Sequence, residues 1–199
     1  WIWTLDGLVK FDGNDWSVID ISQAGLSENW IKCMQLDDLG FWIGKYDGLT
    51  RFDGNDWTQI NTSESGLPTN GLMCLAIDNS DNKWIGTYNK GLVKFDGANW
   101  TVYDTSNSGL PNNMIFYISI DSMDNKWIVT HYNLTKYDGA NWTNYEFPYH
   151  LNTLTNPGFI IDKSNNKWMT FIWGLIKYDG ANWTVYDSSL PDNQVSCLA

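Results

Sequence analysis

FDGANW at residues 95–100 recurs along the chain with small changes. It reads FDGNDW at 11–16 and 52–57, and YDGANW at 137–142 and 178–183. The Asp-Gly pairs begin at 12, 53, 96, 138 and 179, so successive spacings are 41, 43, 42 and 41 residues. Two further phrases keep the same phase. One opens on tryptophan: WIWT (1–4), WIGK (42–45), WIGT (84–87), WIVT (127–130) and WMTF (168–171). The other is Gly-Leu-Pro or a near match at 25–27, 66–68 and 109–111, with Leu190-Pro191 last. Self-similarity at such a period marks a repeat architecture, in which each unit buries its apolar face against the next.

Each period divides into four short stretches bounded by turn residues. In the third they are GLMCLAI (71–77), KWIGT (83–87), GLVKF (91–95) and NWTVY (99–103). The first is apolar along its length, as a strand covered on both faces must be. The others mix β-branched and aromatic residues with partial alternation. DNSDN (78–82) and DGA (96–98) join them with residues that tolerate positive φ and bond their own backbone. No stretch keeps a helical period, so the expectation is all-β. Four strands per period predicts a five-bladed β-propeller of four-stranded antiparallel blades, one domain over residues 1–199. The blades are expected at approximately 1–20 plus 194–199, 30–60, 71–103, 114–145 and 155–186. The chain enters at a second strand, and QVSCLA (194–199) matches a first strand. The first blade is therefore expected to be closed by the C-terminal strand, which would remove the open edges.

Twelve basic residues against twenty-three acidic ones give a net charge of −11. That balance argues against nucleic acid or an anionic membrane surface as partner, because both require a basic patch. No apolar run approaches the roughly 20 residues that span a bilayer, so no membrane insertion is expected. No start methionine or signal-peptide pattern opens the chain, and targeting is expected to lie outside it.

The repeat phrases resemble the two-component regulator propeller family, found in sensor regions of bacterial hybrid histidine kinases and in related secreted proteins. The resemblance rests on D-x-x-[DNG]-[NG]-x-W-[IV]-G-T, then G-L-x-[KR]-[FY]-D-G, then N-W-T-x-[YI], then S-G-L-P-x-N, and it covers essentially the whole chain. It implies a propeller that recognises a ligand, often an oligosaccharide, in an extracellular or periplasmic setting. These residues hold no immunoglobulin-like domain, membrane span or kinase, so the chain is expected to fit only the recognition part of that description. The fourth unit departs from the pattern: Asn133 stands where glycine is expected, and EFPYHLNTLTNPG (146–158) replaces the S-G-L-P-x-N stretch.

Where the repeats disagree, function is the more natural reading, because binding groups sit on variable loops over a rigid scaffold. Ten tryptophans recur in every unit and read as packing between blades. Trp3, Trp30 and Trp173 fall outside the repeat and are candidates for stacking against a sugar or another flat ligand. The same loop face is expected to carry Tyr46, Tyr88, His131, Tyr132, Tyr149 and His150, with Asp6, Asp47 and Asn89 as polar partners. The alternative for each aromatic is that it plugs the channel or covers a loop.

Other chemistry finds less support. The Asp-rich turns at 78–82, 121–125 and 162–166 lack the ligand spacing and bidentate glutamate of an EF-hand and read as Asx turns. Cys33, Cys74 and Cys197 share one register with no histidine beside them, so they read as space-filling thiols, and neither metal nor cofactor is expected. Nothing ties His131 or His150 to a nucleophile, and Asp6 with Asp47 is the best carboxylate pair available. The expected function is non-enzymatic recognition of a small-molecule or oligosaccharide ligand. A structural or protein–protein module of a larger extracellular assembly is the main alternative. A propeller lyase or glycosidase is the other, since the fold hosts enzymes too.

Overall fold

The computed structural model describes residues 2–4, 7–19, 31–38, 40–45, 48–63, 65–148, 158–171 and 174–186. They contain nineteen β-strands and no helix. The first sheet has three strands, β1 (Ile2–Thr4), β2 (Gly7–Phe11) and β3 (Trp16–Ile19). Sheet two comprises β4 (Ile31–Asp37), β5 (Gly40–Lys45), β6 (Gly48–Phe52) and β7 (Trp57–Ile60). Sheet three comprises β8 (Leu72–Ile77), β9 (Lys83–Thr87), β10 (Leu92–Phe95) and β11 (Trp100–Tyr103). Sheet four runs through β12 (Tyr117–Ile120), β13 (Lys126–Val129), β14 (Asn133–Tyr137) and β15 (Trp142–Glu146). Sheet five runs through β16 (Phe159–Ile161), β17 (Lys167–Phe171), β18 (Gly174–Tyr178) and β19 (Trp183–Tyr186). Each is an antiparallel meander in chain order, as the four-stretch reading predicts. The expected fourth strand of sheet one, residues 194–199, lies outside the described residues, so closure of the first blade does too.

The chain forms two compact units, Trp1–Leu72 and Met73–Ala199. The first holds sheets one and two, and the second holds sheets three to five.

The recurring turns explain the strand ends. In the third repeat Asp96 Oδ1 accepts the backbone N–H groups of Ala98 at 2.9 Å and Asn99 at 2.7 Å. Gly97 sits at φ +97°, a left-handed value open to glycine at little cost. Asp12, Asp53, Asp138 and Asp179 repeat the arrangement, with their carboxyls held below the usual range chiefly by those backbone donors. Sequence repetition here is a repeated need to stop one strand and start the next.

The turn between first and second strands does more. Asp78 Oδ1 accepts from the backbone N–H groups of Ser80 and Asn82, while its Oδ2 accepts the Trp84 indole N–H at 2.7 Å. Asp121 holds Trp127 in the same way at 2.8 Å, and Asp162 holds Trp168 at 2.9 Å. The Asx-turn reading of these acidic stretches thus has a specific purpose. Each aspartate satisfies an indole that would otherwise bury an unpaired donor.

In the second unit the core lies between successive sheets. Cys74, Ala76, Trp84 and Leu92 of sheet three cluster with Ile118 and Ile128 of sheet four, completed by Leu110 and Ile115 of the connecting segment. Trp127, Val129 and Leu134 of sheet four cluster with Met169, Ile176 and Tyr178 of sheet five, completed by Phe147. In the first unit Leu8 joins Phe41, Ile43 and Phe52.

Of the tryptophans that open second strands, Trp42, Trp84 and Trp127 are core at 3–4% exposed, while Trp168 is half-buried. Those that open fourth strands are less covered. Trp57, Trp100, Trp142 and Trp183 are half-buried, and Trp16 is 60% exposed. They stand on the outermost strand, where Trp57, Trp142 and Trp183 pack against the core clusters. The thiol reading fits the geometry. A Cβ placed on Gly44 would fall on Cys33 Sγ, and one on Gly86 would fall on Cys74 Sγ, so each sulfur fills the space its facing glycine leaves. Burial pushes the Cys33 thiol up to about 12. Cys197 lies outside the described residues.

Candidate functional site: the loops between second and third strands

The last residue of the second strand sets the site. In sheet three this is Thr87, fully buried, whose hydroxyl donates to Gly91 O at 2.8 Å and accepts the Lys90 N–H at 2.9 Å. The loop 88–90 is thereby fastened at its base, and Tyr88 is held outward, 51% exposed. The segment leading into sheet four ties itself to the same loop through Ile115 N–H to Thr87 O and Gly91 N–H to Asn113 O.

Sheet four repeats the design with a shorter loop. Thr130 donates through both its N–H and its hydroxyl to Asn133 O, closing a tight turn around His131 and Tyr132. Asn133 in place of the repeat's glycine accompanies this contraction. The His131 ring stacks on Phe116, with centroids 5.4 Å apart, and lies 5.0 Å from the Tyr132 ring. His131 Nδ1 is buried and has no hydrogen-bond partner. Tyr132 is 48% exposed, and its carbonyl accepts the Phe147 N–H. Two neighbouring sheets of one unit therefore each present a half-exposed phenol from the same kind of loop. A rigid aromatic ring with a polar tip on a fastened loop suits stacking and hydrogen bonding to a polar ring.

Of the residues proposed from sequence, the structure places Tyr88, His131, Tyr132 and Asn89 on these loops. Trp3 lies in β1 opposite Leu8, and its side chain is outside the described residues. Trp30, Trp173, Tyr46, Asp47, Asp6, Tyr149 and His150 also lie outside them. Phe116 was missed in the sequence because its segment, 114–116, belongs to no repeat phrase.

A cleft of about 260 Å³ opens at the opposite end of the second unit, between the first-to-second-strand turns of sheets four and five. Ile120, Asp121, Ser122, Ile161, Asp162, Lys163 and Asn165 line it. Between sheets three and four, Asp124 Oδ1 accepts the Asn79 N–H at 3.0 Å and its Oδ2 accepts Lys126 Nζ at 2.7 Å. Asparagine takes that position in the next turn, as Asn165. Both carboxylates of the cleft are already engaged: Asp121 and Asp162 each accept from a tryptophan indole and an asparagine amide. Those bonds hold Asp162 down to about 2, so the cleft wall serves the scaffold. Among the described residues no group of three or more His, Cys, Asp or Glu side chains could hold a metal ion.

No protein-family model matches the sequence, and no curated protein matches it. Solved structures do. The extracellular domain of a hybrid two-component system from B. thetaiotaomicron superposes with a TM-score of 0.68 at 21% identity, over 82% of this chain and 24% of that one. The extracellular domain of a one-component system from the same organism gives 0.65 at 19% identity, over 99% of this chain and 33% of that one. Virginiamycin B lyase from Staphylococcus aureus gives 0.64 at 17%, over 81% of this chain and 56% of that one. The chain thus spans about a quarter to a third of the length of the two sensor domains. At these identities the likeness is one of fold, and it is to the β-propeller fold, with extracellular sensor domains of the kind the repeat phrases resemble among the neighbours.

Proposed function

We propose that the chain is a non-enzymatic recognition module of an extracellular or periplasmic sensor, binding a small ligand, a glycan in the first instance, at its second-to-third-strand loops. The observation that carries this reading is the pair of half-exposed tyrosines, Tyr88 and Tyr132, on fastened loops of adjacent sheets. Trp3, Trp30, Trp173, Tyr46 and Asp47 are proposed as further ligand-binding residues on the sequence reading alone. The sensor-domain neighbours support the reading, and so does His131, whose ring is packed between Phe116 and Tyr132 as a wall element.

Titration of the purified chain with a panel of soluble oligosaccharides, followed by tryptophan fluorescence and calorimetry, tests the proposal. A saturable response should weaken by about ten-fold, equivalent to ~1.4 kcal/mol, in Tyr132→Ala with the melting temperature unchanged. A flat response across a broad panel would defeat the glycan assignment. Binding that survives Tyr88→Ala, Tyr132→Ala and Trp173→Ala alike would move the site off this face.

A further inference from the structure

The turns DNSDNKW (78–84), DSMDNKW (121–127) and DKSNNKW (162–168) are copies of one design, so their positions can be matched. Asn79, Ser122 and Lys163 stand second in them. Asp81, Asp124 and Asn165 stand fourth, all at φ 62–64°. Between sheets three and four a carboxylate bridges the interface, because Asp124 accepts both the Asn79 N–H and Lys126 Nζ. Between sheets four and five the matching donor is the Ser122 N–H, the matching cation is Lys167, and the matching side chain is the neutral Asn165. Lys167 Nζ donates to Asn165 O at 2.7 Å and has no ion pair among the described residues.

The 260 Å³ cleft beside Asn165 is left with hydrogen-bonding capacity that is mostly of one kind. Its two carboxylates are occupied: Asp121 accepts from Met123, Asn125 and Trp127, and Asp162 from Ser164, Asn166 and Trp168. Among the described residues, Ser122 makes no hydrogen bond, Lys163 has neither hydrogen bond nor ion pair, and the Asn165 side-chain amide is unengaged. An N–H, a hydroxyl, an ammonium and one amide remain, so donors outnumber acceptors. Ile120 and Ile161 add an apolar wall. The volume lies just below the roughly 300 Å³ at which pockets for drug-sized ligands begin, which suits one small molecule. Nor do the aspartates in the wall exclude an anion. One interface earlier the Asp124 carboxylate shares its cation, Lys126, with Asp78.

We propose that this cleft is a second ligand site, taking a small organic carboxylate whose oxygens accept from Ser122 and Lys163. The ligand does there what Asp124 does between Asn79 and Lys126, and its carbon body packs on Ile120 and Ile161. The site lies at the opposite end of the strands from Tyr88 and Tyr132 and does not rest on the reading of those loops.

Amide NMR of the whole chain, titrated with galacturonate, galactose and cyclohexanecarboxylate, tests the assignment. Ser122 and Lys163 resonances should shift saturably with galacturonate and stay still with galactose, which lacks the carboxylate. A matching response to cyclohexanecarboxylate marks a site for compact ring acids in general, and a response to galacturonate alone marks one for acidic sugars. Lys163→Ala, at an exposed position, should weaken binding by about ten-fold while the melt stays unchanged. Asn165→Asp should supply the carboxylate from within, at a backbone conformation that Asp81 and Asp124 already hold. That variant should lose the ligand and melt at a higher temperature, as the Ser122 N–H gains an acceptor. Tyr132→Ala should bind the acid as wild type does. Resonances that stay still with both acids, or that shift equally with galactose, overturn the proposal. So does wild-type affinity in Lys163→Ala or Asn165→Asp, or loss of acid binding in Tyr132→Ala.

Discussion

The ammonium of Lys167 sits 3.9 Å above the centroid of the Trp127 indole, with the lysine only 2% exposed. Lys167 opens β17 and Trp127 lies in β13, so the contact joins sheets four and five. One interface earlier, Lys126 lies 5.2 Å from the Trp84 ring, 3.2 Å from Asp78 Oδ2 and 2.7 Å from Asp124 Oδ2. The lysine of the recurring Asn-Lys-Trp phrase is thus an inter-sheet clamp. It anchors on its own turn, through Asp124 O or Asn165 O, and covers the preceding sheet's tryptophan. The two copies differ in kind, for Lys126 adds an ion pair to the preceding sheet's aspartate. Burial lowers the pKa of Lys167, consistent with a cation held mainly by a ring and one carbonyl.

That difference orders the cost of removal. Lys126→Met should destabilise the second unit by about 3 kcal/mol, because it strands Asp78 in a buried site without its cation. Lys167→Met should cost about 1 kcal/mol, the scale of a cation–π contact partly replaced by an apolar chain. Urea denaturation midpoints of the two variants check the order, and a Lys167→Met loss equal to or larger than that of Lys126→Met would refute it.

The acid limb of stability follows from Asp78 and Asp162. Burial pushes the Asp78 carboxyl up, but hydrogen bonds from Trp84, Asn82 and Lys126 outweigh it and hold the group at about 2. Asp162 stands at about 2 through the Trp168 and Asn166 donors. Both native values lie below the unfolded value of about 3.9. Their contribution is therefore complete above pH ~4 and lost as pH falls through ~2. Melting temperatures should drop across that window. Asp78→Asn should be less stable than wild type at neutral pH and show a shallower drop in acid; a parallel acid limb would show that other groups set it.

Much of this was legible in the sequence, for local reasons. An Asp-Gly turn needs only its own residues, so Asp96 and Gly97 could be placed from the phrase alone, and the strand boundaries followed from its repetition. The Asp78-to-Trp84 bond also lies inside one repeat, yet its purpose emerges only when the indole is seen to be buried by another sheet. Exposure is the least local property. Trp16 and Trp142 occupy the same position in their repeats, but Trp142 packs against the core between sheets three and four while Trp16 is open, and nothing in the phrase distinguishes them. The cleft beside Asn165 was equally hidden, since its walls come from turns of two different repeats. At the candidate site, Tyr88 and Tyr132 were singled out because the repeats disagree there, whereas the stacking of His131 on Phe116 required the fold.

Thiol chemistry offers an independent check on burial. The thiolate is the reactive form, and burial holds the Cys33 thiol near 12. Alkylation at pH 8, read by peptide mass spectrometry, should leave Cys33 unmodified in native protein and label it fully in denaturant. Rapid native labelling would mean that the space facing Gly44 opens to solvent on the timescale of the reaction.

Two glycines separate close packing from backbone conformation as reasons for the residue. A Cβ on Gly109 would lie 2.3 Å from Trp142 Cβ, in a segment whose carbonyl also accepts the Asn144 amide at 2.9 Å. Gly109→Ala must therefore push the connecting segment off sheet four, at a cost of about 1–3 kcal/mol typical of overpacking. Gly97 has nothing within 4 Å of its Cβ position, and its constraint is φ +97° alone. Gly97→Ala should cost about 1 kcal/mol from backbone strain, with contacts untouched. Replacement by asparagine, which tolerates left-handed backbone better than alanine, separates the two. Gly97→Asn should recover part of the Gly97→Ala loss, whereas Gly109→Asn should be worse than Gly109→Ala. Equal behaviour of the two sites in thermal melts would show that one mechanism governs both.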